Sequence, residues 1–315
     1  MTDVSFVVTV YNKAPYLAAC LDAILAQEGL GTTEIVFVDD GSTDRSVELL
    51  RAHIAKRNAT NVRILIQENA GPGPATNAGA RMATGTWLKL VDADDLLASG
   101  ATRLLLAEAA RHKLDLVYGG MDWFGPEGPR FEPLPADPRT RVFADPVLDA
   151  LTTCQSGASN LIVRRELFLA AGGCDERVFI QDQGICPRVA AAGARVGVFD
   201  AVVCLGPADE PGRLMKNDAQ ILHDETLTAL NFLRDHPELG AAPRLAAFRR
   251  CADRAWKRGR KLFGVDPVSL AHYAYLQAKA GLLWRHEELI AATLAIYRRG
   301  GRVRLSRRTG SSENA

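Results

Sequence analysis

Four short runs dominated by β-branched and large apolar side chains mark the first third of the chain: VSFVVTV (4–10), EIVFVDD (34–40), NVRILI (62–67) and TWLKLV (86–91). Each has the length and composition of a buried strand. Leu17, Leu21, Ile24 and Leu25 recur at helical spacing after the first run, GSTDRSVELLRAHI follows the second with Ser42 expected as its N-cap, and GPATNAGARMA follows the third. Consecutive strands joined by single helices run parallel, and a parallel sheet keeps both faces covered. The pattern therefore predicts an α/β fold. With 315 residues and 47% hydrophobic content, the chain can bury the core of one large domain, alone or with an appendage.

In an open sheet of this kind ligands gather outside the carboxyl ends of the strands. Thr9 to Asn12 follow the first strand, Asp39 and Asp40 end the second, and Asp92, Asp94 and Asp95 follow the fourth, so these groups are expected on one edge. Carboxylates crowded into such a stretch repel one another unless a cation or hydrogen-bond donors stand among them. A divalent ion held by one or two carboxylates and completed by a diphosphate and water would suit Mg²⁺ or Mn²⁺. A solvated turn, with Asp95 or Ser99 capping the next helix, is the plainer alternative.

LDLVYGG (114–120) and ASNLIVRRELFLAAGG (158–173) follow, separated by a Pro- and Gly-rich excursion from Gly125 to Pro138 that reads as a mobile surface loop over or beside the site. DERVFIQDQGICPRVAAAG looks like a turn feeding a helix, ARVGVF (194–199) like another strand, and residues from about 217 onward are helical in pattern. The last residues, TGSSENA, are expected to be disordered.

TVYNKAPYLAACLDAIL, EIVFVDDGSTDRS, QENAGPGPATNAGARMATGTWLKLVDADD and GGCDERVFIQD occur in this order, and together they resemble the family 2 glycosyltransferases of the GT-A fold over roughly residues 4 to 200. The resemblance implies a Rossmann-like mixed sheet flanked by helices, a nucleotide-diphosphate sugar donor, UDP-linked in the first instance, and a glycan or lipid-linked acceptor in surface polysaccharide synthesis. Carried over residue by residue, it assigns Thr9, Tyr11 and Asp39 to the nucleotide base, with Asp39 accepting from the uracil N3 hydrogen. Asp92 falls to the ribose or the ion's shell, Asp94 to a Mn²⁺ or Mg²⁺ ion, and Asp182 to the general base of an inverting transfer.

Departures from the family pattern accompany the match. Gln181 stands where a glutamate usually precedes the base, so Asp182 lacks one neighbouring carboxylate. Thr76 replaces an arginine that often lies near the donor; Lys89 is a candidate substitute, or a strand lysine that snorkels to the sheet edge. No histidine follows at about residue 205, His223 reads as a surface helix residue, and the PADEPGRLMK segment is expected to close over the donor and offer Arg213 or Lys216 to the diphosphate. GPGPATNAG lacks the spacings of a phosphate loop and reads as a turn and helix start. Asp122 and Trp123 sit where an acceptor could pack, with Trp123 either stacking on a sugar or covering core. A nucleotidyltransferase on a related fold is disfavoured because TVYNKAPYL offers only Lys13, and a catalytically weak scaffold subunit is the reading of another class.

The division expected from these features is a catalytic domain at 1–216, a basic helical region at 217–308 and a tail at 309–315. Arg244 to Arg308 carries 16 Lys or Arg against four carboxylates, whereas residues 1–243 carry 22 against 32. RLAAFRRCADRAWKRGRKLF can form a helix that lies on an anionic membrane with Phe248, Cys251, Ala255, Trp256 and Phe263 inward, or one that packs this stripe on the catalytic domain. No nucleic-acid module is recognisable. No apolar run reaches about 18 residues and Asp3 precedes the first one, so neither a membrane span nor a signal peptide is expected, and a cytoplasmic protein, peripheral at most to the inner membrane face, is the corresponding localisation. Cys20, Cys154, Cys174, Cys186, Cys204 and Cys251 form no C-x-x-C pair and are expected to be mostly buried small side chains.

Overall fold

The computed structural model describes residues 2–208, 217–264, 266, 269–301 and 303–305. Strands β1 (Val4–Val10), β2 (Thr33–Asp39), β3 (Val62–Ile66) and β4 (Trp87–Asp92) form the parallel half of the sheet, in spatial order β3-β2-β1-β4. They are joined through α1 (Leu17–Leu25), α2 (Ser46–Arg57) and α3 (Pro72–Met82). The sheet then becomes mixed. After β5 (Leu96–Leu97), α4 (Ala101–His112), β6 (Leu116–Phe124), β7 (Thr140–Val142), α5 (Pro146–Thr153) and β8 (Leu161–Arg164), the last strand β9 (Val196–Pro207) closes it. β8 lies antiparallel between β4 and β6, and β6 pairs in parallel with β9.

Alternation along β1 explains the two layers. Val4, Phe6, Val8 and Val10 face α1 and α4 through Leu17, Leu21, Ile24, Leu105 and Ala109. Val7 turns to the opposite core, with Ala80 of α3 and, beyond, Phe168 of α6 (Arg165–Ala170) and Val189 of α7 (Ile185–Ala191). Gly79 permits this close approach: a Cβ there would stand 2.4 Å from Val7 Cγ1 and 2.9 Å from Val38 Cγ2.

The C-terminal part is helical as expected, with α8 (Asp218–Asp235), α9 (Ala241–Asp253), a π-helical turn at Arg254–Arg258, α10 (Gly259–Phe263), α11 (Leu270–Lys279) and α12 (His286–Gly300). Its apolar core is shared with the sheet-bearing part, because Leu151 of α5 packs with Leu230, Phe248, Ala274 and Ile290. Phe248, Cys251 and Ala255 are fully enclosed, so of the two readings of this stripe these residues follow the one that packs it on the protein. Among the described residues no helix is long and apolar enough to cross a membrane.

Several local expectations change. Helix α2 begins at Ser46, whose N–H is taken by Asp44 Oδ1 at 2.9 Å; Ser42 does not cap it and instead accepts from Asn12 N–H at 2.9 Å. Neither Asp95 nor Ser99 caps α4, which starts from Gly100 in the left-handed region at φ 75°. The 125–138 excursion is irregular, yet Phe131 and Leu134 anchor it on the core and Arg111 pairs with Asp137. Residues 209–216, with Arg213 and Lys216, and the 309–315 tail lie outside the described residues. All six cysteines are free thiols, and only Cys154 is less than fully buried.

Candidate active site

The loops after β1, β2 and β4 meet at one sheet edge, and their side chains divide the work. Asp40 is a clamp: Oδ1 accepts from Gln67 Nε2 at 2.8 Å and Ala70 N–H at 2.9 Å, and Oδ2 from Gly71 N–H at 2.8 Å. Asp39, 2% exposed, accepts from Ser42 N–H through Oδ2 at 3.1 Å, while its Oδ1 is enclosed and has no partner. An enclosed acceptor without a donor is costly unless a ligand supplies one. Asn12, in a left-handed conformation with φ 54°, accepts from Thr43 and Asp44 N–H and so ties the first loop to the second. Tyr11 stands exposed beside it, at 46%.

At the end of β4, Thr9 Oγ lies 3.4 Å from Asp92 Oδ1, and the Asp92 N–H donates to Ser159 Oγ at 2.9 Å. Burial, then the Asp94 and Asp182 carboxylates, push the Asp92 carboxyl up to about 7. Asp94 forms an ion pair with Lys13 Nζ at 2.7 Å. Sequence reasoning passed over this cation as a site residue, although Lys13 follows the same strand as Tyr11 and Asn12. It bears on the question raised by Thr76, which is buried in α3, donates back to Pro72 O at 2.8 Å and meets the Cys174 thiol. Among the described residues, Lys13 brings a positive charge to the edge.

Lys89 neither snorkels nor reaches the edge. It is fully buried, with Nζ donating to Ser159 O at 2.5 Å and Leu90 O at 3.1 Å, and burial pulls its ammonium down to about 8. It thus ties β4 to the loop before β8. That loop also meets Asp182, since the Ala158 N–H bonds to the Asp182 carboxylate and a Cβ on Gly157 would lie 3.4 Å from Asp182 Oδ2. One loop therefore touches both Asp92 and Asp182, which are 90 positions apart in the chain.

Asp182 opens a short 3₁₀ turn, Asp182–Gly184, directly before α7. Its Oδ1 is enclosed without a partner, and burial pushes the carboxyl up to about 6, aided by the charge of Glu225. Main-chain N–H groups of Gln183, Asp182 and Ala158 oppose that push, and the Glu225 charge adds to it more weakly than burial does. Glu225 and Gln183 line one cavity of about 40 Å³, and Arg254 pairs with Glu225 at 3.0 Å. No local sequence signal marks Glu225 as part of this surrounding. His223, expected at the surface, is fully buried in α8. Trp123 is 42% exposed and lies over Gly206, where a Cβ would come within 2.6 Å of the indole, so it is open to stacking as well as covering the edge of β9.

Among the described residues no three His, Cys, Asp or Glu side chains are grouped to hold a metal ion. A Mn²⁺ or Mg²⁺ ion that drew most of its ligands from a diphosphate and water would need only Asp94 and Asp92 nearby, and the cation already seated on Asp94, the Lys13 ammonium, fits that chemistry.

A family model described as glycosyl transferase family 2 matches residues 5–168. Two curated relatives are the uncharacterized glycosyltransferase EpsJ of Bacillus subtilis, 40% identical over 36% of this chain and 32% of its own length, and the succinoglycan biosynthesis protein ExoO of Rhizobium meliloti, 36% identical over 38% and 33%. The matched segment thus spans about a third of these relatives. Among solved structures, S. aureus TarS 1-349 superposes with a TM-score of 0.64 at 19% identity, covering 96% of this chain and 93% of that one. The mannosyltransferase PcManGT of Pyrobaculum calidifontis, in complex with GDP-Man and Mn²⁺, gives 0.60 at 20% identity, covering 94% and 86%. These two likenesses establish a shared fold.

Proposed function

Since the chain belongs to glycosyl transferase family 2, we propose that it is a metal-assisted, inverting transferase that moves a sugar from a nucleotide-diphosphate donor, UDP-linked in the first instance, to a glycan or lipid-linked acceptor in polysaccharide synthesis. The observation that carries this reading is the meeting of Asp39, Asp92, Asp94 and Asp182 around one sheet edge, with a single loop touching both Asp92 and Asp182. The crystal structure of TarS with UDP-GlcNAc and the succinoglycan role in the name of ExoO support the donor and acceptor classes.

The partnerless Asp39 Oδ1 is an acceptor for the base N–H, and Tyr11 offers a flat exposed ring next to it. Asp92, flanked by Thr9, accepts from a ribose hydroxyl. A divalent ion held by Asp94 would supply Lewis-acid stabilisation of the diphosphate as it leaves. Lys13, exchanging its carboxylate for a phosphate oxygen, contributes a further positive charge. The acceptor hydroxyl then passes its proton to the Asp182 carboxylate as its oxygen forms the new bond to the anomeric carbon. The bond from that carbon to the diphosphate breaks with its electron pair on the nucleotide diphosphate, and attack from the opposite face inverts the centre. Asp182→Asn tests the assignment: nucleotide release from the accepted donor should fall on the order of 10²- to 10⁴-fold with nucleotide affinity retained. Wild-type turnover in the variant rejects Asp182 as base, and no turnover of any donor by the native protein favours the scaffold reading.

Peripheral membrane contact belongs to this proposal, through a different surface from the one the sequence indicated. Leu270, Tyr273 and Leu276 form a stripe on α11, and Leu282 and Trp284 continue it in the turn before α12, all between 47% and 64% exposed. Lys279 and Arg285 border the stripe within a region of strong basic excess, which suits an anionic bilayer surface. Sedimentation with anionic vesicles should drop in high salt and in Leu276→Ser/Trp284→Ser; equal recovery with neutral and anionic vesicles at low salt contradicts it.

A further inference from the structure

We propose that Asp224, set in place by His223 and Gln220 on α8, is a positioning residue that holds the backbone leading into Asp182. The inference rests on the reading of Asp182 as the general base. It concerns residues beyond the 5–168 segment matched by the family model.

Asp224 is 1% exposed and its two oxygens meet a donor from every side. Oδ2 accepts from the Phe179 N–H at 3.1 Å, the Ile180 N–H at 2.9 Å and Gln220 Nε2 at 2.8 Å. Oδ1 faces His223 Nδ1 at 2.8 Å. A guanidinium can only donate, so the contact of Arg298 Nε with His223 Nε2 at 3.2 Å makes Nε2 the acceptor and leaves the ring proton on Nδ1, directed at Asp224. Gln220, fully buried, is itself fixed from the other side: Arg304 N–H donates to its Oε1 at 2.6 Å, and its Nε2 also lies 3.1 Å from Arg304 O. The Arg304 guanidinium sits 5.7 Å from the centre of the Phe179 ring, so the same C-terminal residue braces both ends of the arrangement.

A carboxylate this deep is tolerated only when its lone pairs are satisfied, and here two of its donors are main-chain groups of the segment ending at Asp182. Ile180 precedes Asp182 by two residues, and Asp182 enters the 3₁₀ turn immediately after. The hydrogen bonds of Asp39 to Ser42 and of Asp92 to Thr9 and Ser159 lie outside this network. Loosening Phe179 and Ile180 therefore displaces the base while leaving nucleotide contacts in place, and a misplacement of about 1 Å can cost on the order of 10²-fold in rate.

The experiment uses the full chain with Asp224→Asn, His223→Phe and Asp182→Asn. Main-chain hydrogen exchange is followed across 177–184, together with turnover of UDP-GlcNAc and GDP-mannose and binding of the matching free nucleotide. Expected are faster exchange at Phe179 and Ile180, a fall in kcat of about 10- to 100-fold for Asp224→Asn and less for His223→Phe, and donor KM and nucleotide affinity within about twofold of the native protein. Native turnover in both α8 variants, or native exchange at these amides, overturns the inference while leaving the base assignment intact. A proportional loss of nucleotide affinity and kcat also overturns it, because that marks general loosening. If Asp224→Asn does not fold, His223→Phe decides by the same criteria. Native turnover in Asp182→Asn removes the base reading itself, and the inference with it.

Discussion

As the proposed base, the carboxyl of Asp182 should set the acid limb of the reaction, and its burial and neighbours give the direction of displacement. Burial disfavours the ionised form and carries the group from its ordinary 3.8 to about 6, with the Glu225 charge adding in the same direction. That displacement corresponds to about 3 kcal/mol of preference for the proton. A base must be ionised to accept the acceptor's proton, so activity should approach its plateau above about pH 7, stand near half at about pH 6 and fall further below it. At pH 5 a carboxyl titrating near 6 leaves roughly a tenth of the plateau rate, whereas an ordinary aspartate would leave roughly nine-tenths. Glu225→Gln removes a neighbouring negative charge and leaves the positive Arg254, its partner at 3.0 Å, nearby. Both changes favour ionised Asp182, so the limb moves to lower pH. The assay is kcat from pH 4.5 to 8 at saturating donor and Mn²⁺, which reports the loaded complex and keeps Asp92 and Asp94 engaged throughout. A native limb near 4, or one that stays put or moves up in Glu225→Gln, would refute the reasoning.

Two further perturbations probe the scaffold. Gly79→Ala sets a methyl 2.4 Å from Val7 Cγ1 and should force α3 away from the sheet, destabilising the protein by ~1–3 kcal/mol; an unchanged thermal midpoint would contradict this packing. Lys89→Met fills the same volume but leaves Ser159 O without its donor, loosening the loop that holds the Asp92 main chain. Nucleotide affinity should fall about tenfold, equivalent to about 1.4 kcal/mol, and unaltered affinity in a folded variant would detach Lys89 from the site.

The parallel half of the sheet was legible because β1, β2 and β4 are short runs rich in β-branched or large apolar residues between stretches of different period, and their edge therefore carried the candidate site with it. β5 and β7, of two and three residues, are too short to display any period, and they form only against β9. The long C-terminal half of β9 was missed because small residues and Asp200 interrupt its apolar pattern. Helix α8 misled for a different reason. Its buried face carries Gln220, His223, Asp224, Thr226, Thr228 and Asn231, so hydrophobic periodicity assigns these positions to solvent, whereas hydrogen bonds to the segment before Asp182, to Asp175, and to Arg298 and Arg304 satisfy Gln220, His223, Asp224 and Asn231 in the interior. Lys89 illustrates the same gap: a charge inside an apolar run reads as an edge residue until the carbonyl of Ser159, 70 positions away, accounts for it. The Lys13–Asp94 pair, spanning 81 positions, needed the fold to bring the first and fourth loops together.

The central claim, that the aspartates at the sheet edge hold a nucleotide diphosphate through a metal ion, is tested most directly by calorimetric titration of UDP and GDP into the native chain and Asp94→Ala, each with and without Mn²⁺. The account predicts that one nucleotide binds the native chain in a manganese-dependent way and that the variant loses this dependence along with at least about tenfold in affinity, about 1.4 kcal/mol. Equal affinity with and without Mn²⁺, unchanged in Asp94→Ala, would contradict it.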